Sequence, residues 1–235
     1  MLDIFSSEEV QEALEIFVRE FPTAIWETVY VTVISTFFAI LIGLPLGVIL
    51  VAGDKGKILK IPAGVLHVLN IIINLLRSIP FLILMIMVFP LTRLIVGTVV
   101  GTVASIVPLV IAAFPFVARL VETSLREIDP NIIEMAQSMG AKPIQIIVKV
   151  MIPESIPSLL SNFTTAMTTI LGYSAMSGII GGGGLGKIAI NYGYYRYRYL
   201  VMLLAVIFLI LLVQIIQTVG THLATKLDRR PRDRA

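Results

Sequence analysis

Charged residues are missing from long stretches of the chain, and those gaps predict its elements. A helix needs about 20 apolar residues to cross about 30 Å of hydrocarbon. The first gap runs from Thr28 to Gly53, and a second apolar region, Ile61 to Ala118, is broken only by Arg77 and Arg93. The third gap runs from Ser155 to Gly186 and the fourth from Tyr199 to Thr225. The second region is too long for one helix and fits two. The pattern therefore predicts five spans, near residues 26–53, 61–89, 100–122, 155–180 and 199–225 of a transmembrane domain at 26–225. Pro80 is expected to kink the second. Ahead of them, residues 1–25 place Val10, Leu14, Phe17, Val18 and Phe21 at helical spacing among Glu8, Glu12, Glu15 and Glu20. That pattern predicts an amphipathic helix lying at the membrane surface.

Composition agrees with this class. Of 235 residues 57% are hydrophobic and 14% charged, against about 45–50% and about 25% in soluble domains. The surface of a soluble domain could not absorb that surplus. The absence of Cys excludes a disulfide scaffold. A net charge of +3, scattered along the chain, gives no nucleic-acid footprint. His67 and His222 are isolated, so no metal site is expected, and no cofactor or catalytic set stands out.

The distribution of Lys and Arg sets an orientation, because basic residues favour the cytoplasmic side. Lys55, Lys57, Lys60, Arg119, Arg126, Lys142, Lys149 and the basic tail (226–235) fall on one side, twelve cations in all; the other side holds six. The expectation is an extracytoplasmic N-terminus and a cytoplasmic C-terminus.

Residues 123–154 form the one long charged connection between spans. Asp129 suits an N-cap, Pro130 the first helical position, and Gly140 a left-handed C-cap residue. Ile132, Ile133, Ala136 and Met139 make one apolar stripe. Pro143 opens a second helix with Ile144, Ile147, Val148 and Met151 on one face, and Pro153 ends it. Such a pair must bury its apolar face, either on the ends of its own spans or in a cleft of another subunit.

This stretch carries a family resemblance. Glu134-Met135-Ala136, three residues, Gly140, nine residues, then Val150-Met151-Ile152-Pro153 resembles the EAA loop of ABC-importer permeases, with Met135 in place of an Ala. Further segments resemble methionine permeases: Leu76 to Phe81, Ile106 to Leu109, Pro115 to Arg119, Gly172 to Met176, Gly183 to Gly186 and Tyr192 to Tyr194. The resemblance implies an all-α, five-span, type I ABC-importer permease of the bacterial inner membrane. It implies a homodimer with two ATPase subunits, fed by an extracytoplasmic methionine-binding lipoprotein and surrounded by membrane lipid. Carried over, Glu134, Ala136, Gly140, Ala141 and Pro153 would form the ATPase-coupling loop. Another amino acid or a small solute such as betaine remains the alternative cargo.

Other candidates stay open on the residues alone. Arg77 either meets a substrate carboxylate or snorkels to headgroups. Asn162, Tyr173 and Ser174 either line a pathway or bond neighbouring helices. Met176 either touches substrate or packs. Gly181 to Lys187 spells G-x-x-x-x-G-K, but Ile188 stands where a phosphate loop needs Ser or Thr, and the run follows a span rather than a strand. Gly181, Gly183, Gly184 and Gly186 are therefore read as allowing turns and close helix approach, with an outer hinge as a further role.

Overall fold

The computed structural model describes residues 7–54 and 58–228. Lys55, Lys57 and the tail cations from Arg229 onward, all used for the orientation, lie outside the described residues, as do residues 1–6 of the acidic N-terminal segment. Among the described residues the structure is helical, without strands. The helices are α1 (Ser7–Ala52), α2 (Ala63–Ser78), α3 (Phe81–Met87), α4 (Phe89–Val96), α5 (Thr102–Arg126), α6 (Pro130–Ser138), α7 (Pro143–Glu154), α8 (Ile156–Ser177), α9 (Gly184–Ile188) and α10 (Tyr199–Leu227).

Helices α1, α5 and α10 are each long and apolar enough to cross a membrane. Two bent pairs raise the number of spans to as many as five: α2 with α3, bent by 108°, and α7 with α8, bent by 72°. Two expectations change here. No boundary separates a surface helix at 1–25 from the first span; α1 is one helix of 46 residues. Its N-terminal turns are held by packing, with Ala13, Phe21 and Ala24 buried against Leu185, Ile188, Val201 and Ala205. Arg198 adds ion pairs to Glu9 (3.7 Å) and Glu12 (2.6 Å). Likewise, the second span is not one helix through 61–89. Pro80 cannot donate to the ladder and forces Ile79 to extended backbone, so the chain turns sharply there.

The chain packs as two units. One comprises the chain up to Phe37, Pro80–Ala113 and Met167–Ile216; the other comprises Phe38–Ile79, Phe114–Ala166 and the chain from Gln217. In the first, Phe17, Phe21 and Phe208 form an aromatic cluster with ring centroids 5.1–5.7 Å apart, and Phe81 stacks on Tyr173 at 4.7 Å. In the second, Gly43 and Gly47 sit one turn apart on α1 and meet α5. A Cβ on Gly43 would lie 2.8 Å from Val117, and one on Gly47 would lie 2.6 Å from the Ala118 carbonyl. This is a G-x-x-x-G contact of the kind that lets membrane helices pack backbone to backbone.

Candidate functional site

The hairpin of α6 and α7 follows its sequence signals closely. Asp129 caps α6, accepting a hydrogen bond from the Asn131 N–H at 2.9 Å, and Pro130 occupies the first turn. Gly140 has φ +77°. Its N–H donates to the Gln137 carbonyl (2.9 Å), and the Ala141 N–H donates to that of Ala136 (3.2 Å). Those two bonds make a Schellman C-cap, which needs a left-handed residue at this position. No atom would obstruct a Cβ on Gly140, so the cost of a side chain there is backbone strain alone, about 1–2 kcal/mol. Gly140→Ala is expected to lower the thermal midpoint of the purified protein modestly, and Gly140→Asn to lower it less. Equal loss for both would refute the left-handed requirement.

The inward face of the hairpin keeps Ala136, Ile147 and Met151 of the expected stripes and differs from them at Ile146, Met139, Ile144 and Val148. Ala136, Ile146, Ile147 and Met151 are buried, while Met139 is 74% exposed, Ile144 63% and Val148 54%. The reason lies in α7. Pro153 has no N–H for the Lys149 carbonyl, and Ile147–Met151 winds as a π turn. The wider turn brings Ile146 onto one face with Met151, five residues on, and leaves Ile144 and Val148 outward. The hairpin thus carries an outward apolar surface of Met135, Met139, Ile144 and Val148, with Glu134 exposed beside it.

The remaining candidates separate into three groups. Asn162 and Ser174 bond within the protein. The Asn162 amide donates to Ser124 Oγ (2.8 Å) and the Leu120 carbonyl (3.3 Å) of α5; Ser174 is buried and donates to the Leu171 carbonyl. Tyr173 stacks on Phe81 beside the break after α2, and Met176 is 46% exposed. Arg77 is exposed in the last turn of α2.

The glycine run forms a tight joint. Gly181 and Gly184 have φ of +85° and +79°. A Cβ on Gly183 would meet Thr102 Oγ1 at 2.1 Å, and one on Gly186 the Ala175 carbonyl at 2.2 Å. Sequence reasoning missed what holds this joint. Glu27 accepts the Gly184 N–H (2.7 Å) and the Thr102 hydroxyl (2.9 Å), and Thr28 Oγ1 accepts the Leu185 N–H (2.9 Å). Nothing local marks Glu27, since its partner in the glycine run lies 157 residues away. Glu27→Ala would leave the Gly184 N–H unpaired, at a cost of about 1–3 kcal/mol. A clear fall in thermal midpoint is expected, partly restored by Glu27→Gln; an unchanged midpoint would contradict the role. Nearby, Tyr192 donates to Glu20, and that bond, with burial, raises its pKa above the ordinary phenol value.

Among the described residues, three long apolar helices and two sharply bent helix pairs mark a polytopic helical membrane protein. The pattern of the binding-protein-dependent transport system inner membrane component family matches residues 43–232. The chain belongs to that family. It is 48% identical, over 88% of its length and 92% of the relative's, to the probable D-methionine transport system permease protein MetI of Vibrio cholerae. It is 46% identical, over 66% of its length and 70% of the relative's, to the D-methionine transport system permease protein MetI of Escherichia coli. Among solved structures it resembles a chain in the inward-facing conformations of the MetNI methionine ABC transporter. That match has a TM-score of 0.89 and 42% identity, covering 92% of this chain and 99% of the other.

Proposed function

We propose that this chain is the permease subunit of an ATP-driven methionine importer, with two copies forming the translocation pathway. The observation that carries the cargo is the 48% identity to a probable D-methionine permease across 88% of the chain. ATP hydrolysis belongs to two partner ATPase subunits, and an extracytoplasmic methionine-binding lipoprotein delivers the substrate. The hairpin takes the coupling role: Met135, Met139, Ile144 and Val148 enter a groove of the ATPase, Glu134 pairs at its rim, and Ala136, Gly140, Ala141 and Pro153 fix the hairpin's shape. A preformed hairpin transmits movement because its caps leave it little freedom to yield. Gly181, Gly183, Gly184 and Gly186, held through Glu27, act at the outer mouth as a packed joint that moves with the spans. Arg77, Tyr173 and Met176 lie toward the pathway, whereas Asn162 and Ser174 brace it.

The N-terminus faces outward and the C-terminus the cytoplasm, in keeping with the bias of Lys and Arg. The chain has no native Cys, so single cysteines at Gln11 and Thr225 test this directly. In intact cells an impermeant thiol reagent should label only the first; the reverse pattern would invert the topology. Cargo is tested by competition in cells whose only methionine uptake is this system. Excess unlabelled methionine should abolish uptake of labelled methionine, and excess betaine should leave it unchanged.

A further inference from the structure

Helix α2 carries a polar stripe through an otherwise apolar span. His67, Asn70, Asn74, Arg77 and Ser78 recur at intervals of three and four residues, which confines them to an arc of about 100° on a helix of 3.6 residues per turn. The stripe borders the buried side of the helix, marked by Ile73 at 0% exposure. Val65, Val68, Ile72 and Leu75 project from a different face and are 47–61% exposed. Those apolar side chains suit lipid. The polar stripe does not, since unpaired polar and charged groups in hydrocarbon cost several kcal/mol.

Two further observations fall on the same stripe. Arg119 of α5 reaches across to it, donating to Asn70 Oδ1 (2.7 Å) and Asn74 Oδ1 (2.9 Å) while also paired with Glu122. Its charge is therefore offset. Arg77 has no hydrogen-bond or ion-pair partner among the described residues. The stripe also ends where the span breaks, at Ile79–Pro80, with a 108° turn to α3. Interrupted helices at membrane depth are tolerated where they are buried in protein or line a water-filled cavity, and in transporters such interruptions form binding sites.

We infer that the α2 stripe lines the aqueous route of the carrier and that Arg77 receives the carboxylate end of a passing amino acid. The inference rests on the transport reading and names the chemistry of its route. A zwitterion crossing hydrocarbon needs a continuous polar wall, and an unpaired guanidinium offers a carboxylate two parallel hydrogen bonds. Arg119, already satisfied, keeps Asn70 and Asn74 aligned and does not trap the substrate.

The lack of native Cys makes the test direct. Single cysteines at His67, Asn74 and Ser78, and at Val68, Ile72 and Leu75, are made in the full transporter in membrane vesicles. They are treated with the charged reagent 2-(trimethylammonium)ethyl methanethiosulfonate, which reacts where water reaches a thiolate. The stripe positions should react at least ten-fold faster than the apolar ones, and methionine should slow them. Equal rates on both faces, or faster reaction at Ile72 and Leu75, would overturn the lining role. In parallel, Arg77→Ala should raise the KM for methionine uptake at least ten-fold, with Arg77→Lys recovering most of it. Inhibition by L-methioninol, which has no carboxylate, should be the same in all three proteins. An unchanged KM in Arg77→Ala would overturn the carboxylate assignment, while failure of the unsubstituted transporter to import methionine would instead defeat the cargo. Both variants are checked for co-purification with the ATPase, so that a folding loss is not taken for a binding one.

Discussion

Gly186→Ala is expected to remove most of the folded protein from the membrane. The added methyl would sit 2.2 Å from the Ala175 carbonyl oxygen and 2.5 Å from its Cα. Both are backbone atoms, so no side-chain rotation relieves the clash, and α8 would have to separate from α9. Overpacking in a well-packed interior costs about 1–3 kcal/mol; a rigid backbone obstruction belongs at the upper end or beyond. Gly172 provides the control. It lies within α8, and a Cβ there meets nothing within 4 Å. Gly172→Ala should be neutral or slightly stabilising, because alanine favours helix over glycine by about 1 kcal/mol. The pair is compared by yield and thermal midpoint of the detergent-purified protein. Similar behaviour in both would contradict the close approach at Gly186.

The second large effect concerns coupling. Met139→Asp and Val148→Asp, singly or together, place charge on the outward apolar face of the hairpin. Both side chains are more than half exposed, so the permease itself should fold with an unchanged thermal midpoint. The ATPase should no longer co-purify, and ATP-driven uptake should fall at least a hundred-fold in the double variant. An aspartate buried in an apolar groove without a partner is strongly disfavoured. Asp at Ile146, which faces inward at 2% exposure, should instead destabilise the permease. If Val148→Asp left ATPase capture and uptake intact, the hairpin would not be the docking element.

The sequence was informative wherever a local rule decides the structure. Asp129, Pro130 and Gly140 announce the first hairpin helix and its end through capping chemistry that acts within one turn. Pro80 announces the break in the second span. The charge-free run between Arg198 and Lys226 places α10 well, whereas α5 begins inside an apolar region with no cation at its start and runs past Arg119 to Arg126. Register was less accessible. The inward face of α7 depends on a π turn before Pro153: a 3.6-residue period finds Ile147 and Met151, which are buried, but adds Ile144 and Val148, which are exposed, and misses the buried Ile146. The continuity of α1 also escaped, because an amphipathic stretch reads the same whether it lies on lipid or packs on α10. The contact of Gly43 and Gly47 with Val117 and Ala118 came only from the structure, because those partners lie some seventy residues away on α5. Contacts between distant segments, such as Glu27 with Gly184 or Arg119 with Asn70, leave little local signal beyond a polar residue in an apolar run.

Transport with purified parts decides whether this chain forms the path of an ATP-driven methionine importer. The permease, its partner ATPase and the methionine-binding lipoprotein are reconstituted in proteoliposomes, and labelled L-methionine is supplied on the binding-protein side. Accumulation above the external concentration is expected only when ATP is present on the ATPase side. It should stop with a non-hydrolysable nucleotide and in the Met139→Asp, Val148→Asp double variant. Equal movement of methionine with and without ATP, or no uptake of methionine by a complex that hydrolyses ATP, would contradict the account.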